Sequence, residues 1–147
     1  MEKLKAGLAI PFHRLICPDC HAIPRANEWM SVPVTEMAED SLDVFHVAKR
    51  RGKWEPFYIG TQDDPLFDER LSWEGRRDKM TQAYSMCLLD YDFAVLDNAF
   101  LVHRPGIKVS RRDKLRDSLG RKQNILIDST IRRELQDHYG RNKKCTI

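Results

Sequence analysis

The stretch Phe100–Lys108, FLVHRPGIK, ends an apolar run on a histidine, a proline and a glycine, then places a lysine. His103 carries ring nitrogens suited to a proton or a ligand, Gly106 lets backbone approach closely, and Lys108 is a compact positive charge. Two readings stay open from these residue types alone. One is a buried strand that stops on a core histidine; the other is a site for a negatively charged ligand. Elsewhere, Phe67-Asp68-Glu69-Arg70 sets two carboxylates beside a guanidinium, and Glu55 lies between Trp54 and Phe57. Asp90-Tyr91-Asp92 is formally a D-x-D, the spacing with which paired carboxylates hold a divalent cation.

The cysteines are Cys17, Cys20, Cys87 and Cys145. Cys17-Pro-Asp-Cys20-His21 has the spacing of a zinc knuckle or a redox motif. A zinc site needs four ligands, and no second C-x-x-C or H-x-x-x-H completes this one. Cys87 sits in an apolar stretch and reads as a buried free thiol. Cys17, Cys20 and Cys145 are then the candidates for a disulfide, with no pairing fixed by the sequence.

At 147 residues, with 32% charged and 41% hydrophobic, the chain has the composition of one soluble globular domain. No apolar run reaches the roughly 18 residues that span a bilayer. The start, MEKLKAGLAIPFHRLICP, is interrupted by Pro11 and His13 and makes a poor signal peptide, so no address is expected within this chain. Residues 104–147 hold 13 Lys/Arg against 5 Asp/Glu, and residues 1–103 hold 12 against 17. A basic half invites a nucleic-acid reading, but Tyr139 is its one aromatic residue for stacking bases. A solvated basic face or an anionic small ligand fits better, and no nucleic-acid partner is expected.

The elements that must position these residues follow from periodicity. Residues 1–53, with prolines at 11, 18, 24 and 33, read as an irregular Cys/Pro-containing segment with a short strand or two. Trp54–Gly60 is strand-like, bent or placed at an edge by Pro56, and Asp63-Asp64-Pro65 is a turn. Met80, Ala83, Tyr84, Cys87 and Leu88 recur at helical spacing behind Asp78 as N-cap. Phe93–Leu96 and Ala99–Val102 are short apolar runs that fit two buried strands or one bent strand. Residues 109–124 are polar and basic, broken at Gly120. A helix is expected from Asp128 to Tyr139, with Asp128 or Ser129 as cap, Ile131 and Leu135 on one face, and Gly140 as stop. The class is α/β, with too few strands to close a full sheet.

WEPF (54–57), FDER (67–70) and YDF-x-VL-x-NAF-x-VH (91–103), in that order and with Lys108 behind them, resemble the C-terminal half of glycosyltransferase family 49. The resemblance runs from about Phe12 to the end and takes in the Cys-x-x-Cys segment and a cysteine near the C-terminus. Leu71 stands where the family has an aromatic residue, and the Gly75–Gln82 connection is one residue longer. The resemblance implies a partial GT-A-like fold: 54–147 as the C-terminal part of the catalytic domain, without the N-terminal nucleotide-binding half and its D-x-D. The chain is then expected to be a glycosyltransferase fragment with little or no activity alone.

The resemblance also implies roles. The intact enzyme transfers glucuronic acid or a related sugar from a UDP-sugar donor to a glycan acceptor, assisted by Mn²⁺ or Mg²⁺, on the lumenal side of the Golgi membrane. His103 is the implied metal ligand, and Lys108 and Gly106 face the donor diphosphate. Inversion at the sugar carbon needs a carboxylate base, for which Asp68 comes first, Glu55 second and Glu69 third. Arg70 is placed on the donor's carboxylate or in an ion pair with Asp68 or Glu69. Trp54 and Phe57 stack on the acceptor or pack in the core. Gln82 and Asn98 bind sugar hydroxyls or satisfy backbone. Asp90-Tyr91-Asp92 aligns with a strand entrance and is not the metal site. Two other functions remain: a non-catalytic carbohydrate-binding or interaction module, and a small basic zinc module on Cys17, Cys20 and His21.

Overall fold

The computed structural model describes residues 2–32, 42–72, 77–104, 106 and 113–147. The chain is mixed α/β and divides into two compact units. Met1–Lys49 with Asp92–Pro105 forms the first; Arg50–Tyr91 with Gly106–Ile147 forms the second. No helix among the described residues is long and apolar enough to cross a membrane.

In the first unit, β1 (Val44–Lys49) pairs antiparallel with β2 (Asp92–Leu96). Val44 faces Leu96, His46 faces Val95 and Lys49 faces Asp92, so Phe45 is the extra residue of a bulge. Lys49 Nζ lies 3.1 Å from the Asp92 carboxylate at the strand entrance. Prolines keep the preceding segment in short pieces: α1 (Glu2–Lys5), one 3₁₀ turn (Phe12–Arg14), α2 (Pro18–His21) and α3 (Ala26–Ser31). Cys17 and Arg25, both left-handed, precede α2 and α3. The buried Trp29 on α3 donates from Nε1 to Leu96 O at 3.0 Å and fastens this layer to β2.

The expected second apolar strand does not form. Residues 99–102 have no regular structure, and Leu101 and Val102 are 79% and 81% exposed. β2 ends at Leu96, opposite Val44 at the start of β1, and among the described residues no strand lies beside 99–102. The chain instead turns at Asp97-Asn98, where Asp97 N donates to Asp43 O (2.8 Å) and Asn98 Oδ1 accepts from Asp43 N (3.2 Å).

The second unit packs α4 (Asp78–Leu88) against α6 (Arg132–Tyr139), which continues α5 (Lys114–Leu126) without a break through a π turn, Ile127–Ile131. α4 was expected to bury one face, yet every residue from Met80 to Leu88 except Gln82 is buried. Of its three buried hydroxyls, two bond backbone, Thr81 Oγ1 donating to Arg77 O (2.8 Å) and Ser85 Oγ to Thr81 O (3.4 Å), and Tyr84 OH accepts from Gln136 Nε2 (2.9 Å). Arg77, in the left-handed region at φ 72°, takes the cap position assigned to Asp78, which becomes the first helical residue. An acidic residue there still complements the helix dipole.

Gly120 does not break the helix. Asp113 starts α5, its Oδ1 accepting from Leu115 N (2.9 Å) and Arg116 N (3.1 Å), and flanking helix formers carry the chain through the glycine. Asp128 is therefore mid-helix rather than a cap. Its carboxylate receives both arms of Arg77 at 3.0 Å and also pairs with Arg132, which holds its pKa below the usual carboxylate range. Gly140 ends the helix as expected, at φ 90°. Ile127 and Ile131, both 0% exposed, form the core with Leu71. Tyr84, Leu88 and the Cys87–Cys145 disulfide form a second apolar cluster against Leu135 and Tyr139. Cys87 is thus bonded rather than a free thiol.

Candidate functional site

FDER is a turn held by its own ion pair. Leu71 N donates to Asp68 O (3.0 Å) and Arg70 N to Asp68 Oδ1 (3.0 Å), so the aspartate folds the backbone before it does anything else. Arg70 then clasps both oxygens, Nε to Oδ1 at 2.9 Å and Nη2 to Oδ2 at 2.7 Å, and Nη2 reaches Glu134 on α6 at 2.7 Å. The Arg70 hydrogen bonds hold the Asp68 pKa below the usual carboxylate range, against the opposing pull of partial burial. Arg70's own pKa is raised by Asp68 and then Glu134. The arrangement anchors the turn: Leu71 drops into the Ile127–Ile131 core, and Ser72 N donates to Gln123 Oε1 at 2.7 Å.

WEPF is not a strand: it is irregular chain that follows a turn at Gly52-Lys53. Trp54 N donates to Arg51 O (3.3 Å), and Pro56 has no donor to give. Beneath it lies Arg50, which a run of basic residues disguises in the sequence. This guanidinium is only 4% exposed. Nε donates to Trp54 O (2.9 Å) and Nη1 to Thr146 O (2.7 Å), while Thr146 Oγ1 donates to Gly52 O (2.8 Å). Burial lowers the Arg50 pKa, and the half-buried Glu55 carboxylate is the largest opposing influence. Trp54 is half-buried and Phe57 is exposed with Lys79 Nζ 5.9 Å above its ring. Glu69 is exposed.

His103 belongs to the first unit, whereas Glu55, Asp68, Arg70, Trp54 and Phe57 belong to the second. The imidazole is exposed rather than packed in a core. It stacks on Phe12 with ring centres 5.1 Å apart, and Nδ1 lies 2.6 Å from Arg104 O. That contact puts the proton on Nδ1 and makes Nε2 the lone-pair nitrogen. Gly106 has φ 102°, and a Cβ there would meet nothing within 4 Å. A side chain is excluded by backbone conformation and not by space. Lys108 lies outside the described residues.

Metal chemistry can be tested against these donors. Among the described residues no three His, Cys, Asp or Glu side chains converge on one point. Cys17 and Cys20 are bonded to each other, so neither offers a thiolate to zinc beside His21. His103 is one suitable nitrogen ligand, and among the described residues it belongs to no group of three such donors. Gln82 and Asn98 both serve backbone, Gln82 Nε2 donating to Pro65 O at 3.0 Å and Asn98 accepting from Asp43 N.

Comparison with known proteins gives these residues a setting. The sequence is 29% identical to β-1,4-glucuronyltransferase 1 of Mus musculus over 139 residues, covering 95% of this chain and 32% of that protein. It is 32% identical to β-1,4-glucuronyltransferase 1 of Danio rerio over 130 residues, covering 88% and 29%. Glycosyltransferase-like protein gnt13 of Dictyostelium discoideum is 30% identical over 107 residues, covering 70% and 15%. The chain thus spans about a third of the length of the glucuronyltransferases it matches. No solved structure matches it. The profile of the family described as "Glycosyl-transferase for dystroglycan" matches residues 1–140, and the chain belongs to that family, glycosyltransferase family 49.

Proposed function

We propose that this chain is the C-terminal part of a GT-A-type glycosyltransferase domain that moves glucuronic acid or a related sugar from a UDP-sugar to a glycan acceptor. The observation that carries the reading is the family match over residues 1–140, alongside two glucuronyltransferases that align with most of the chain. In the transfer, an acceptor hydroxyl attacks the sugar's anomeric carbon, the bond to the diphosphate breaks, and the hydroxyl proton passes to a carboxylate. Asp68 and Glu55 are the candidate bases. Asp68 stays ionised, but both its oxygens are engaged by Arg70, so it acts as base only if Arg70 turns to the donor. Glu55, half-buried beside the Arg50 guanidinium, is the second candidate.

Mn²⁺ or Mg²⁺ would neutralise charge on the leaving diphosphate. His103 would contribute Nε2, Gly106 and Lys108 would lie along the phosphates, and the carboxylates would come from sequence the described residues do not supply. Two disulfides, Cys17–Cys20 and Cys87–Cys145, support folding in an oxidising compartment, in keeping with a Golgi lumen.

The test is a hybrid in which residues 1–140 replace the aligned segment of the mouse relative, assayed with radiolabelled UDP-glucuronic acid. The chain alone is expected to give no turnover. The hybrid is expected to give metal-dependent turnover that falls at least about 100-fold in His103→Ala, roughly 2.7 kcal/mol of transition-state stabilisation. A folded hybrid without turnover would overturn the transferase reading in favour of a binding module.

A further inference from the structure

Between WEPF and FDER the second unit carries an open surface hollow of about 390 Å³. The rings of Tyr58 and Phe67 supply apolar faces; Thr61, Gln62, Asp64 and Gln82 supply a hydroxyl, two amides and a carboxylate. Local structure holds this lining in place. Thr61 N donates to Asp64 Oδ2 (2.7 Å), Asp64 N donates to Thr61 O (3.3 Å), and Asp63 N donates to Thr61 Oγ1 (3.3 Å). Gln82 ties the loop to the buried helix α4 through Pro65 O at 3.0 Å. A Cβ on Gly60 would come within 2.4 Å of Asp64 Oδ2 and 2.7 Å of Tyr58 Cε2, so a side chain there would push these two groups aside.

We propose that this cavity binds an uncharged sugar ring of the acceptor glycan. The proposal rests on the transferase reading for the word acceptor alone; the chemistry of the cavity stands by itself. A pyranose has an apolar C–H face and a rim of hydroxyls that both donate and accept. Paired aromatic rings receive the face, and amides with a carboxylate match the rim. The sign of the charge chooses among sugars. Asp64 lies in the lining with Asp63 in the same turn, and Tyr91 hydrogen-bonds Asp64. Among the described residues the lining holds the Asp64 carboxylate and no lysine or arginine, which disfavours a uronate or a phosphate. The cavity therefore takes the neutral ring and leaves the anionic donor to another part of the enzyme. Trp54 and Phe57, singled out from the sequence as acceptor platforms, do not line it; Tyr58, the next residue, does.

The experiment uses the whole 147-residue chain, ¹⁵N-labelled and titrated by NMR with cellobiose, methyl β-glucoside and sodium glucuronate, without nucleotide or metal. The neutral sugars are expected to shift the Gly60 and Thr61 amides and the Gln82 side-chain amide with millimolar affinity, and glucuronate is expected not to. Tyr58→Ala and Phe67→Ala should each weaken cellobiose about fivefold or more, with the α4 resonances unmoved as a check on folding. Asp64→Asn should let glucuronate in. Absence of shifts at about 50 mM cellobiose, shifts confined to other residues, or stronger binding of glucuronate than of the neutral sugars overturns the proposal. If a variant unfolds, the wild-type shift map and the glucuronate comparison still decide. Since no donor is used, failure here leaves the hybrid's turnover untouched, and a dead hybrid with intact sugar binding rejects the transferase reading alone.

Discussion

The two units differ in how much apolar core they build. The second buries most of α4, two isoleucines with no exposure, and a disulfide from α4 to Cys145, although Ile59, Leu66, Leu115 and Ile125 stay exposed. The first buries Trp29 and Phe93 among its described large hydrophobics, while Val44, Val47, Phe100, Leu101 and Val102 stand half or more exposed. Two antiparallel strands with one covering tryptophan make a marginal structure in water. The lesson is that the second unit is specified by its own core. The first leaves much of its apolar surface uncovered, and its candidate ligand, His103, lies on that less anchored side.

Breaking the two disulfides separately is the most severe test of this contrast. Cys87–Cys145 spans 58 residues, and loop-closure entropy assigns it about 4 kcal/mol, so the paired serine variant should lose most of its cooperative unfolding. Cys17–Cys20, separated by 3, should contribute about 1.5 kcal/mol or less, with the denaturant midpoint shifted far less than by loss of Cys87–Cys145. Equal losses would erase the distinction. Side-chain truncation comes next: Ile131→Ala should cost about 3 kcal/mol, and Val47→Ala well under about 1 kcal/mol, by the same measurement.

The smallest effect is on acid stability. Asp68 and Asp128 are held below their ordinary pKa by Arg70 and Arg77. Lowered carboxylate pKa values add stability that is complete above the unfolded range, near pH 4, and is lost as pH falls through the folded values. Thermal melts of Asp68→Asn should be lower than the parent at pH 7 and converge with it as pH falls below the ordinary aspartate range. A constant gap across that range would mean that the aspartate acts through the turn and not through its charge.

Much of this was legible in the residues. The period of Met80, Ala83, Tyr84, Cys87 and Leu88 marks α4, and Gly140 marks the end of α6, because local spacing and backbone freedom decide both. Phe100–Val102 misleads because burial needs a neighbouring strand, and strand register is a non-local property. Cys87 misleads because an apolar sequence context looks the same around a thiol and around half of a disulfide. Gly120 misleads because a helix costs only about 1 kcal/mol to carry one glycine when Asp113 caps it. At the site, the pairing of Asp68 with Arg70 follows from their spacing. The Tyr58–Gln82 cavity does not, since it joins a turn to a helix some twenty residues later. Arg50 was hidden by its neighbours: five residues of KRRGK look like solvated charge, and one of them is a buried clamp.

The Cys87–Cys145 bond also closes the polypeptide into a ring. His103, Gly106, the basic connection beyond it and both long helices all lie on that ring. A protease that cuts it once opens the ring but releases nothing, and the two pieces travel together until a reductant separates them. The stretch that carries the candidate donor contacts can thus be nicked and still remain tethered to the stretch that carries the acceptor cavity.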